Sequence, residues 1–170
     1  MLMTKYRVSL FESKGRTELY VKLVVISIVY GLFWINPVDL TSALHEMPYY
    51  HLWLIALYFA PTYGLFALYG TRDWELYLAI GLLASLMNDL FFYPVGEVMH
   101  LVSGINLIEW YKLQLGLDGW AVDFYFKGGI FTFPVWSWLM GLSIYLRIIT
   151  VILLSEYWLR KHQPLSLAKR

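Results

Sequence analysis

Four runs of predominantly apolar residues, 20–35, 49–70, 76–95 and 129–154, constrain what this 170-residue chain can fold into. A hydrocarbon core about 30 Å thick is crossed by roughly 20 such residues in a helix, whose backbone groups all pair within the segment. With 59% of residues hydrophobic and 15% charged, the chain carries more apolar side chain than a soluble domain of this size buries. The sequence predicts an all-α integral membrane protein: a four-transmembrane-helix bundle forming a single domain over residues 1–170. No internal repeat or linker divides it. Breakers stand near each span end: Asn36-Pro37, Gly70-Thr71-Arg72-Asp73, Pro94 with Gly96, and Arg160-Lys161. The N-terminal segment lacks the apolar core and cleavage pattern of a secretory signal, so the first span is expected to be retained.

Orientation follows from where Lys and Arg stand. Lys5, Arg7, Lys14 and Arg16 precede the first span, Arg72 joins the second to the third, and Arg160, Lys161, Lys169 and Arg170 follow the fourth. The first-to-second connection has no Lys or Arg, and the long third-to-fourth connection has Lys112 and Lys127. The expected location is the cell membrane, multi-pass, with N and C termini cytoplasmic. Trp34, Trp53, Trp74, Trp136, Trp138 and Trp158 fall near span ends, where an aromatic belt belongs.

Lipid removes the hydrophobic drive between helices, so close packing of small residues takes its place. Small residues four apart recur: Ser27 and Gly31; Ala56, Ala60 and Gly64; Gly81 and Ser85; Ser137 and Gly141. In the third span this row continues as Asp89 and Tyr93, which places Asp89 on the packed face. Between spans 3 and 4, Val98, Leu101, Val102, Ile105 and Ile108 follow helical spacing, predicting an amphipathic interfacial helix over 97–111. Asp118-Gly119 marks a possible short hairpin turn. Pro61, Pro94 and Pro134 are each expected to remove a helix hydrogen bond within or at the end of a span.

Several chemistries are excluded. A net charge of +1 gives no basic field for nucleic acid, and the absence of Cys rules out thiolate nucleophiles and thiolate-built metal sites. There is no Gly-x-Ser-x-Gly and no phosphate-cradling glycine loop.

What remains is the pair Asn88-Asp89 inside the third span, where a carboxylate costs several kcal/mol unless it faces the bundle interior or a partner. Arg147 is the partner in the fourth span. Helix rise sets Asp89 about 20 Å and Arg147 about 10 Å from the inner ends of their spans, and oppositely leaning side chains bring them within reach. A structural ion pair of Asp89 with Arg147 is one reading. The other treats Asp89, Asn88, Glu97 and His100 as catalytic, with Asp89 as acid or base on an apolar substrate. Glu97 and His100, at i and i+3, have carboxylate–histidine metal spacing, and His51 and Glu46 complete a candidate ligand set. His51 and His100 are alternatively the axial ligands of a haem. No cofactor is favoured.

Two functional classes follow. The first is a subunit or accessory/binding protein of a membrane complex, with a polar site in the outer half of the bundle. Its partners would be membrane lipids, and other membrane subunits or further copies of itself. The second is a membrane enzyme acting on a lipidic or isoprenoid-like substrate, or a metal- or haem-dependent redox protein.

Overall fold

The computed structural model describes residues 16–41 and 47–162. Seven helices and one hairpin follow in order: α1 (Arg16–Tyr30), a π turn (Gly31–Ile35), α2 (Asn36–Thr41), α3 (Tyr50–Tyr58), α4 (Ala60–Tyr69), α5 (Trp74–Val98), α6 (Leu107–Gln114), β1 (Val122–Gly128), β2 (Phe131–Trp136) and α7 (Ser137–Lys161). Among the described residues, three helical stretches are long and apolar enough to cross a membrane: Thr17–Thr41, Trp74–Val98 and Ser137–Lys161. A fourth crossing exists if α3 and α4, bent by 44° at their junction, are taken as one span. Pro61 opens the second half of that bent pair, where a missing amide is tolerated.

The central helix is α5, which packs against α7, α1, the π turn and α4. Small residues permit this. A Cβ on Gly31 would lie 2.5 Å from the Ala84 carbonyl oxygen, and Ser27 Oγ donates to Ile80 O at 2.6 Å. Gly141 backs onto Leu115 and Gly116 in the same way, with a Cβ 2.6 Å from Leu115 O. Gly64 has open space around it, so its row of small residues contributes no close helix contact.

At the end of the bundle where α5 starts and α7 stops, a polar latch closes the structure. Buried Asp73 accepts from Trp158 Nε1 at 2.9 Å and meets His162 Nε2 at 2.6 Å, and Lys161 reaches Glu75 at 2.9 Å. A core of Leu76, Tyr77, Ile80 and Trp158 lies directly above it.

Several local expectations are corrected. The first span does not stop at Asn36-Pro37 but continues to Thr41. In the intervening π turn Asn36 N–H bonds Gly31 O, five residues back, so the ladder is already rearranged where Pro37 has no amide to give. Nor does Pro94 end α5, which runs to Val98. The helix expected over 97–111 is instead the last turn of α5, an irregular stretch, and α6 from Leu107, started by Asn106 Oδ1 accepting from Glu109 N–H at 3.4 Å. Residues 129–136, read as the start of the fourth span, belong to an antiparallel hairpin that turns at Gly129–Ile130 rather than at Asp118-Gly119. Pro134 therefore lies in a strand and frees no helix carbonyl. Aromatic and β-branched residues, which favour strands, are dense in both, a signal that overall apolarity hid.

Candidate functional site

The hairpin, α6 and parts of α2, α3, α5 and α7 line a half-open cavity of about 1090 Å³. Its walls are mostly apolar and aromatic, among them Leu54, Phe92, Trp110, Phe124 and Met140. Polar side chains form two groups on its surface, and α5 supplies Asn88 to one and Asp89 with Ser85 to the other.

In the first group Asn88, 2% exposed, donates from Nδ2 to Asp39 Oδ2 at 3.0 Å and to Tyr58 Oη at 2.9 Å. Tyr50 Oη donates to the other oxygen of Asp39. Asp39, 4% exposed, is thus held by two neutral donors from different helices. Its position depends on the π turn, which carries the first helix past Pro37 and onto α5.

In the second group Arg147 Nη1 lies 2.5 Å from Asp89 Oδ2 and donates to Ser85 Oγ at 3.0 Å. Its Nε donates to Ser143 O at 3.2 Å. The guanidinium is fixed at three points, and both charged side chains are largely buried, 16% exposed for Arg147 and 17% for Asp89. The structure therefore brings Asp89 and Arg147 together across α5 and α7.

Opposite these, the hairpin contributes Asp123. The strand register breaks between Val122 and Phe124, so Asp123 sits at a β-bulge, the device that redirects a side chain within a ladder. Gln114 Nε2 donates to its carboxylate at 3.2 Å. Burial, and secondarily the Asp89 charge, pushes the Asp123 carboxyl up to about 6.

The histidines and Glu97 separate. His51 lines the cavity, but its ring stacks on Phe124 and Phe126 with centroids 5.0 and 4.9 Å away, and Nδ1 accepts from Lys127 N–H at 2.7 Å. That bond fixes the proton on Nε2 in the neutral ring and ties α3 to β1. Glu97 instead accepts from Ile105 N–H at 3.3 Å, holding the irregular stretch after α5. His100 is exposed, beyond the helix end, with φ of 58°. The two do not share a helical face, because α5 ends between them, and neither lines the cavity. Glu46 and His45 lie outside the described residues. Among the described residues no group of three His, Cys, Asp or Glu side chains is placed to hold a metal ion. His51 and His100 are not brought to one cavity, as paired haem ligands would have to be.

Asp39, Tyr50, Tyr58, Gln114 and Asp123 escaped the sequence reading. Asp39 was hidden behind a supposed stop, although it continues the helical spacing of Ile35. Asp123 was readable as the one acidic residue in the aromatic-rich run Val122–Gly128. Comparison with protein-family models, with curated proteins and with solved structures yields no match.

Proposed function

We propose that the chain is a four-span membrane protein with both termini on the cytoplasmic side, and that it binds a lipidic ligand by its polar end inside the bundle. The cavity carries this reading: its size is at the upper end of small-ligand sites, and its apolar walls surround a few fixed polar groups. The Asp89–Arg147 pair anchors α5 to α7 and keeps the cavity's polar floor in place. Native mass spectrometry of the protein in lipid nanodiscs tests it. A lipidic molecule should remain bound to the wild type and bind much more weakly to Ser143→Phe, whose ring narrows the cavity, with the melting temperature little changed. Failure of both the co-purified and the added lipids to bind would overturn the reading.

The orientation has its own test, made clean by the absence of native Cys. A cysteine at exposed Ile130 should react with an impermeant maleimide in intact cells, and one at Ser166 only after permeabilisation.

A second reading, acid–base catalysis on a lipidic or isoprenoid-like substrate, is supported by Asp123. A carboxyl facing an apolar cavity and titrating at about 6 can exchange a proton near neutral pH. Asp123→Asn should then abolish turnover while the ligand stays bound.

A further inference from the structure

The ligand's chemical class can be read from what the cavity leaves unanswered, and this inference rests on the ligand-binding reading above. Two buried side chains that line the cavity keep a carbonyl oxygen without a donor: Asn88 Oδ1 and Gln114 Oε1. Both residues are at least nine-tenths buried, at 2% and 9% exposed. Their amide orientations are fixed, because each –NH₂ end faces a carboxylate, Asp39 for Asn88 and Asp123 for Gln114. Swapping oxygen for nitrogen would set carbonyl against carboxylate in either case. The orphaned atoms are therefore acceptors, and a buried acceptor without a donor costs about 1–3 kcal/mol.

The donors of the amide and guanidinium groups are already committed. Arg147 serves Asp89, Ser85 and Ser143. Asn88 Nδ2 serves Asp39 and Tyr58, and Gln114 Nε2 serves Asp123. The Asp123 carboxylate accepts from a neutral amide, so its charge is not offset by that bond. The lining sets four carboxylates, Asp39, Asp89, Glu109 and Asp123, against the cations Arg147 and Lys127, so an anionic head group meets a net acidic surface. A head group that donates hydrogen bonds and carries positive charge meets what is needed, and aromatic rings, Phe92, Tyr93 and Trp110 among them, line the cavity around it.

We propose that the ligand is a long-chain amine, held as its ammonium. Its N–H groups donate to the oxygens lining the cavity, Asn88 Oδ1 and Gln114 Oε1 foremost, and its alkyl tail lies on the apolar wall. Asp123 supplies the counter-charge.

Three probes of equal chain length decide the question: hexadecylamine, hexadecanol and hexadecanoic acid, added at pH 7.5 to the wild-type protein in phosphatidylcholine nanodiscs. Native mass spectrometry reads occupancy, with empty nanodiscs correcting for partition. Hexadecylamine should bind at least about tenfold more tightly than either of the others, as a charge-assisted contact predicts. Asp123→Asn should remove most of that preference by weakening hexadecylamine binding. Because that variant could also disturb the hairpin, the wild type is titrated too: its preference for the amine should shrink as the pH falls below about 6, where Asp123 takes up a proton. If hexadecanol or hexadecanoic acid binds as tightly as the amine, the head-group class is wrong while lipid binding stands. If none of the three binds, and Ser143→Phe changes nothing, the lipid-binding reading falls with it.

Discussion

Asn88 and Asp89 are neighbours on α5 that serve different helices: Asn88 binds Asp39 at the end of the first span, and Asp89 binds Arg147 on α7. Consecutive helix residues point about 100° apart, so one adjacent pair can fasten two partners at one level of the bundle. Removing either residue should loosen a different joint.

Asp89→Asn leaves the Arg147 guanidinium largely buried without its counter-charge. The expected loss is about 3–5 kcal/mol, the usual cost of breaking a buried pair from one side. Asp89→Asn combined with Arg147→Met should recover much of it. Thermal unfolding in detergent, arranged as a double-mutant cycle, measures the coupling; additive losses would show that the pair is energetically idle.

Asn88→Leu removes the donor to both Asp39 and Tyr58 and leaves a buried carboxylate with Tyr50 as its remaining described side-chain donor. A loss of about 1–3 kcal/mol is expected. Asn88→Asp should be worse, since it sets a second carboxylate against Asp39. The order of the two melting temperatures checks the argument, and equal values would contradict it.

The Asp123 carboxyl is raised from 3.8 to about 6 by burial, with the Asp89 charge adding to it. A folded-state value above the unfolded one means that the folded protein binds the proton more tightly. The stability this supplies is fully present below pH about 4 and is lost as pH rises through about 6. Asp123→Asn should flatten the melting temperature across that window and raise it at pH 7.5 relative to wild type. Parallel pH profiles for wild type and variant would sink this account.

Glycines that look alike in sequence should behave differently. A methyl group at Gly31 or Gly141 meets backbone atoms that cannot swing aside, so Gly31→Ala and Gly141→Ala should each cost about 1–3 kcal/mol. Gly64→Ala meets open space and should be neutral, or stabilising by up to about 1 kcal/mol through helix propensity. Melting temperatures of the three variants give the comparison directly.

These glycines show how much the sequence could say. Spacing of four identified the small residues of all four apolar runs, and Ser27, Gly31 and Gly141 do sit at close backbone contacts. Spacing cannot tell which small face meets a helix, and Gly64 faces open space. The partnership of Asp89 with Arg147 was legible because depth along a helix is simple arithmetic and a lone intramembrane charge is costly. Asp39 was not legible, because Asn36-Pro37 is a stop by local rules and continues only where the ladder has already changed its spacing. The hairpin was missed for a related reason: apolar strands covered on one face by the bundle carry the same composition as the start of a span.

The π turn at Gly31–Ile35 has a consequence for register. A helix that closes one bond over five residues instead of four has taken in one extra residue, and everything beyond it is rotated by about 100°. Asn36 and Asp39, now 0% and 4% exposed, owe their inward direction to that phase shift. Deleting a single residue from the turn would keep the composition, length class and hydropathy of the first span almost unchanged. It would swing Asp39 out toward the lipid, so the delivery of this carboxylate to the site is encoded in a residue count as well as in the identity of the side chain.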